Sequence, residues 1–467
     1  MRTVAIVGSV ASLAWAGAAV AGEAETPAVQ TTQAAAPATQ EPPRAVPPDS
    51  NAAVQDRPAS PDGSEAGIGA EAVPTGDWFE QAVDRFKEFH CVASDDGGFR
   101  LNTDFWLTQD FMVFDRPPPS LVRTGEWQTY WPQLNGLVSM EFGEHLSFVA
   151  LGQVYRGFDP VDESLSANLS EYFAVIQPLD SAALVLKGGT FATCYGQWVN
   201  RHFSFQNPLI NAPLMYEGMT DISDGSGNLT ATPGLAKFLG RKNLAQNVAA
   251  WVPIIWGPSY ASGGQIGGTW QNFDYAAELK NASLSSRPAD WQFWEKDFSN
   301  PTVTGRVGWR PDAAWNLGVS GSGGSYLAAD PLLTKPANAW DSTQTVVGAD
   351  LSWAHGPLQV WSEFAFSRWR IPNLQPADAY SYFVEAKWKF AQQLWLAGRW
   401  NQQFYGDYPT TTGGTTAWGD QTSRVDVCLG WKMDRFVQLK AQYTWTTQVG
   451  FDQQSPSNFL LQLVVEF

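Results

Sequence analysis

The chain has 467 residues, a formal net charge of −17 and 44% apolar residues, with 23 Trp, 27 Phe and 13 Tyr among them. The acidic balance argues against a nucleic-acid partner. Cys91, Cys194 and Cys428 allow at most one pair and so exclude a disulfide framework, while His90, His145, His202 and His355 have no metal-site spacing; no cofactor is expected.

At the N-terminus, Arg2 precedes an apolar, small-residue run ending in Ala19-Val20-Ala21, so residues 1–21 read as a secretory signal cleaved after Ala21. No later segment has the roughly 18 uninterrupted apolar residues that a spanning helix needs. An exported chain of this kind enters a membrane as strands. Residues 22–76 are Ala, Pro, Gln, Ser and Glu without period, which predicts a disordered periplasmic tether. Nine acids and two Arg between Gly22 and Asp77 give that stretch a net −7 and leave −11 from Trp78 onward. A plain spacer is the simpler reading of the tether, and cell-wall contact is the alternative. Residues 77–98 are a lead-in, with Asp77 as an N-cap, Glu80 three residues on, and Val83, Phe86 and Phe89 predicting a short amphipathic helix.

From residue 99 to 467 the period becomes two. Phe99, Leu101, Thr103, Phe105 and Leu107 oppose Arg100, Asn102, Asp104, Thr108 and Asp110, with Trp106 interrupting the polar row. Val425, Val427, Leu429 and Trp431 oppose Arg424, Asp426 and Lys432; Val437, Leu439, Ala441, Tyr443 and Trp445 oppose Gln438, Lys440, Gln442, Thr444 and Thr446. A soluble sandwich and a membrane barrel give the same alternation, so pattern alone leaves the wet face open. The Trp content favours a barrel, whose interfacial girdles suit an indole with its apolar body and polar N–H. So does the last strand, where Phe459, Leu461, Leu463, Val465 and Phe467 share one face and the terminal residue is aromatic, like the assembly signal of outer-membrane barrels.

Short polar links such as Glu141 to His145, Arg310 to Ala314, His355 to Pro357 and Met433 to Arg435 alternate with long ones at Arg116 to Gly125, Asp159 to Asn168, Tyr195 to Asn247, Tyr326 to Ser342 and Gly406 to Asp420. The fold expected is all-β: a transmembrane antiparallel β-barrel of about 16 strands (range roughly 14–18) enclosing water, behind a disordered N-terminal tether. Its inward charges are of both signs: Asp104, Glu278, Asp350, Glu363, Glu385 and Asp426 against Lys280, Arg306, Lys387, Arg399, Arg424 and Lys440. The stretch from Tyr195 to Asn247 is too long for a plain connection, and its Pro, Trp and Tyr predict an ordered loop folded into the barrel. Arg201, Glu217, Asp221, Arg241 and Lys242 are its candidate constriction residues; an external loop over a barrel mouth is the alternative.

Gly348 to Trp353, Gly356 to Val360 with Glu363, Ala397 to Asn401 and the strand ending at Phe467 resemble the phosphate-selective porin O and P family, mainly over the C-terminal third. The resemblance implies 16 strands, homotrimers, a loop-built constriction and passive diffusion of small hydrophilic solutes or ions through a porin in the outer-membrane lipid, not catalysis. Phosphate selectivity itself does not follow, because the mixed inward charges lack a basic run, and the acidic balance leans toward cations. Two other classes compete. An enzyme would use His202 with Ser204 as base and nucleophile, and a structural or anchoring barrel would be tethered to the cell wall by residues 22–76.

Overall fold

A computed structural model describes residues 91–94, 96–115, 128–156, 165–223, 251–287, 301–327, 342–371, 375–409, 413–449 and 456–467. The signal, the tether and the predicted helix at 77–90 lie outside the described residues.

Sixteen strands form one closed antiparallel barrel. They are β1 (Phe99–Phe114), β2 (Gln128–Phe142), β3 (Leu146–Arg156), β4 (Leu165–Ile176), β5 (Val185–Phe191), β6 (Ala261–Trp270), β7 (Phe273–Lys280) and β8 (Thr302–Trp309) in the first half. The second half comprises β9 (Trp315–Ser325), β10 (Thr343–His355), β11 (Leu358–Trp369), β12 (Ala377–Trp388), β13 (Leu394–Tyr405), β14 (Gln421–Lys432), β15 (Val437–Val449) and β16 (Ser457–Glu466). β16 returns to pair with β1 from Trp106↔Glu466 to Phe114↔Asn458, so the wall has no free edge to recruit another chain. Where β16 stops, a short lead-in strand, Cys91–Ala93, takes over the same side of β1 at Arg100 to Asn102.

The orientation left open by the pattern is resolved by burial. Along β14, Thr422, Arg424, Asp426 and Cys428 are at most 4% exposed, whereas Val425, Val427, Leu429 and Trp431 are 38–49% exposed. The greasy row faces outward and the polar row inward, the reverse of a soluble protein and the arrangement lipid selects. A strand of about 12 residues, rising ~3.3 Å per residue and tilted by roughly 40–45°, covers about the thickness of a hydrocarbon core. Outward aromatics collect at the rim of short links: Trp270 and Phe273 flank the link at 271–272, Trp309 and Trp315 flank the one at 310–314, and Trp388 precedes the one at 389–393, which itself carries Phe390.

Short and long links alternate around the barrel, as expected, with further long links at 281–301, 370–376 and 450–456 that the sequence pattern did not separate from strands. The stretch expected to be loop as far as Asn168 is instead strand from Leu165. A larger difference concerns Trp. Trp198, Trp256, Trp361, Trp369, Trp395 and Trp418 are at most 8% exposed and lie inside, not in a girdle. Five of them, all but Trp395, belong to one apolar cluster with Tyr195, Tyr216, Ile254, Ile255, Ala365 and Phe383. Its physical origin is the described part of the 192–260 link, which carries its own apolar side chains into the lumen and must bury them there. The inward face is therefore wet in part and packed in part.

Candidate functional site

The described parts of the 192–260 link run inside the barrel, and their polar contacts are with inward side chains of the wall. After β5, Glu278 accepts from the Thr193 hydroxyl (2.6 Å) and the Cys194 amide (3.1 Å), and Lys280 donates to the Phe191 carbonyl (2.8 Å) while lying 3.4 Å from Glu278. A 3₁₀ turn, Trp198–Arg201, follows. The amides that open it, Gln197 and Trp198, donate to Glu363 Oε1 at 2.8 and 2.5 Å, and Tyr216 Oη donates to Glu363 Oε2 at 2.5 Å. A carboxylate thus takes the place of a helix cap. Gly196, at φ 68°, makes this approach possible, since a Cβ there would meet Tyr216 Oη at 2.5 Å and Glu363 Oε2 at 2.7 Å.

The one-turn helix Leu214–Glu217 leads into the densest charge cluster. Arg201 Nη1 bonds Glu385 (2.5 Å); Arg399 bonds Glu385 (3.3 Å) and Asp426 (3.0 Å); Arg424 bonds Asp426 (3.2 Å) and Glu217. Charges alternate along this chain of contacts, each carboxylate is shared or hydrogen-bonded, and every member is at most 5% exposed. Such a cluster is stable inside a protein only because its partners are so fully matched. Arg399 also donates to the carbonyls of Asn211 (2.9 Å) and Ala212 (3.0 Å), so the wall holds the link by its backbone as well as by charge. The rest of the Arg201 guanidinium lies over the Trp361 ring, 4.4 Å from its centroid.

Lys440 fastens the preceding bend: its ammonium donates to the carbonyls of Ser204 (2.5 Å), Asn207 (2.6 Å) and Leu209 (3.3 Å), and to Gln462 (2.8 Å). Asn401 and Gln442 accept from the amides of Leu214 (3.2 Å) and Ile210 (2.6 Å). On the other side of the lumen, Arg306 bridges Asp350 (2.7 Å) and Asp274 (2.5 Å). Lys387 lies over the Trp395 ring, and Asp104 borders a cavity of about 540 Å³.

Of the expected site residues, Arg201, Glu217, Glu278, Glu363, Glu385, Arg399, Arg424 and Lys440 thus make the contacts between link and wall, while Asp426 braces Arg399 and Arg424 and Lys280 bonds the end of β5 beside Glu278. Arg306 and Asp350 pair within the wall. Asp221 is on the short strand Met219–Ser223, while Arg241 and Lys242 lie outside the described residues. Sequence reading did not single out Asn211, Tyr216, Asn401 and Gln442 as site residues; they are uncharged, and they meet only because the barrel closes. Trp106 was visible as an interruption of its strand, and the reason is now plain: it is 3% exposed and packs edge-on against Phe203 (5.1 Å) and Phe205 (5.3 Å) of the link.

His202 and Ser204 do not engage each other as base and nucleophile. The imidazole bonds the Val199 carbonyl through Nδ1 (2.5 Å) and the Tyr260 hydroxyl through Nε2 (2.7 Å), and Ser204 Oγ bonds Thr108 (2.6 Å). Burial pushes the imidazole down to about 4, so it is neutral at pH 7. Burial, and secondarily Glu363, raises the Tyr216 phenol well above its usual range, which keeps it a donor. All three cysteines are free; burial likewise raises the Cys194 thiol and leaves it unreactive.

No family model matches the chain, and no curated protein matches its sequence. Solved structures share its fold. The outer-membrane expressed OmpT of Vibrio cholerae is 10% identical, with 81% of this chain and 100% of that chain covered at a TM-score of 0.51. The outer membrane channel DcaP of Acinetobacter baumannii is 10% identical, with 80% of this chain and 99% of that one covered at a TM-score of 0.50. At these identities the likeness concerns architecture, and the chain has a porin-like outer-membrane barrel fold.

Proposed function

We propose that the protein is an outer-membrane porin that lets small hydrophilic solutes or ions diffuse passively through an aqueous pore narrowed by the 192–260 link. The observation that carries this reading is the inversion of the barrel: apolar rows outside, charged and amide side chains inside, and water-sized space beside the inward link. The fastenings at Glu363, Lys440 and the Arg399 cluster support a fixed constriction, because a link held at so many points cannot swing freely in the lumen. Arg201 and Glu217 belong to it, with Asp104 on the open side and Asp221, Arg241 and Lys242 as its further charged residues. Homotrimers follow from the resemblance of the C-terminal third to phosphate-selective porins, and export from the N-terminal signal. The net −11 of the chain from Trp78 onward favours cations.

Purified protein reconstituted in planar bilayers tests the reading. Steady conductance steps are expected, with a reversal potential in a salt gradient of cationic sign. A folded, heat-modifiable barrel that stays silent would instead point to an anchoring role, and anion selectivity would refute the charge argument.

A further inference from the structure

Two cavities lie beside the inward link. One, of about 540 Å³, is bordered by Asp104, Glu141, Glu171, Asp274 and Arg310 and lies toward the short links; the other, of about 230 Å³, is bordered by Asp110, Gln133, Asn135, Gln153 and Gln462 and lies toward the long ones. Both mix these polar groups with apolar wall, Val149, Phe173 and Val185 in the first and Met112, Trp131 and Tyr155 in the second. Among the described residues, two border both cavities: His202 and Phe203.

That pair belongs to an aromatic cluster. Phe203 stacks on Phe205 (5.8 Å, 9° between planes), both meet Trp106 edge-on, and His202 lies 4.1 Å from the Phe203 ring centroid. Leu137 and Leu151 from the wall and Val464 from β16 complete the cluster. The site is built and not incidental: Thr108 bonds Ser204 across the gap, Lys440 holds the Ser204 carbonyl, and Tyr260 and Val199 hold both nitrogens of His202. Neither imidazole nitrogen is left to coordinate a passing solute.

We propose that His202 and Phe203, backed by Phe205 and Trp106, form an aromatic septum between the two compartments, and that the septum makes the channel favour solutes bearing a planar apolar ring. The inference rests on the porin reading. A hydrated ion or a sugar must shed water against these ring faces and gains little from them in return, which is how an apolar constriction restrains conduction. A solute with an aromatic face loses less, because offset or edge-on contacts with Phe203 and Trp106 replace its hydration. The neutral imidazole keeps the septum uncharged at pH 7.

Conductance in planar bilayers and liposome uptake of a phenyl glycoside and of a disaccharide of similar size test the proposal in the full chain, with heat-modifiable mobility checking the fold of each variant. For Phe203→Ala/Phe205→Ala, a several-fold rise in ion conductance and loss of the preference for the phenyl glycoside are expected. Phe203→Leu, a milder change, keeps the low conductance and loses part of the preference. A conducting wild type whose double variant is unchanged in both assays overturns the septum and leaves the porin reading standing. A silent wild type opened by the double variant supports the septum and refutes the freely diffusing pore, whereas silence in both overturns the two together.

Discussion

Arg399→Met is the most informative single change. Arg399 is 2% exposed and its guanidinium contacts Asp426, Glu385, Asn211 and Ala212, while methionine fills similar space without donors. Breaking one partner of a buried ionic cluster costs about 3–5 kcal/mol. Here Glu385 keeps Arg201 and Asp426 keeps Arg424, so the lower end applies, about 3 kcal/mol. Borne by docking of the link alone, that raises its undocked population roughly 150-fold. Hydrogen exchange on the folded barrel reads it directly, because the amides of Gln197, Trp198, Ile210 and Leu214 donate to wall side chains and exchange only when the link lifts. Exchange across 196–217 should accelerate, and adding Asp426→Asn should restore much of the protection by removing the surplus negative charge while Arg201–Glu385 and Arg424–Glu217 stay as matched pairs. Unchanged exchange in Arg399→Met would refute the idea that this cluster holds the link.

Three further perturbations probe other fastenings. Lys440→Met leaves three carbonyls without their shared donor and should speed exchange over 204–210, at a cost of about 2–3 kcal/mol, while barrel formation judged by gel mobility is retained. Gly196→Ala places a Cβ against Tyr216 and Glu363 at positive φ, so thermal release of the link should come at a lower temperature by roughly 1–3 kcal/mol of destabilisation; equal release temperatures would contradict the close approach. The folded barrel keeps His202 neutral down to about pH 4, while the unfolded chain protonates it near 6.5, so the unfolded state binds more protons between those values. Stability should therefore fall as pH drops from about 6.5 to 4, by at most about 3 kcal/mol, and His202→Gln should flatten the profile measured by denaturant unfolding.

The wall was legible because it is local. The alternation through Val425, Val427, Leu429 and Trp431 is written in consecutive residues, and the strand count follows from repeating such runs. Which side faced water was not local, and composition settled it only indirectly; indeed half the Trp argument was misdirected, since Trp256, Trp369 and Trp418 serve the interior. The site was legible as a set of charged positions, not as a set of pairs. Arg424 and Glu217 are 207 residues apart in sequence, and only ring closure decides that they meet. Trp106 shows the intermediate case, where a break in period flagged a contact whose partner the sequence withheld.

The inward segment leaves the wall after β5, yet its firmest attachments are to β11, β12, β13, β14 and β15, across the ring. It therefore behaves as a tie-beam. A thin cylinder squeezed from the side ovalises easily, and a strut joining opposite arcs stiffens it along that diameter. Lateral pressure from crowded lipid would deform first the arc between β6 and β9, which holds the link near its start through Glu278 and Ser320 and where glycines replace bulky side chains in the strands.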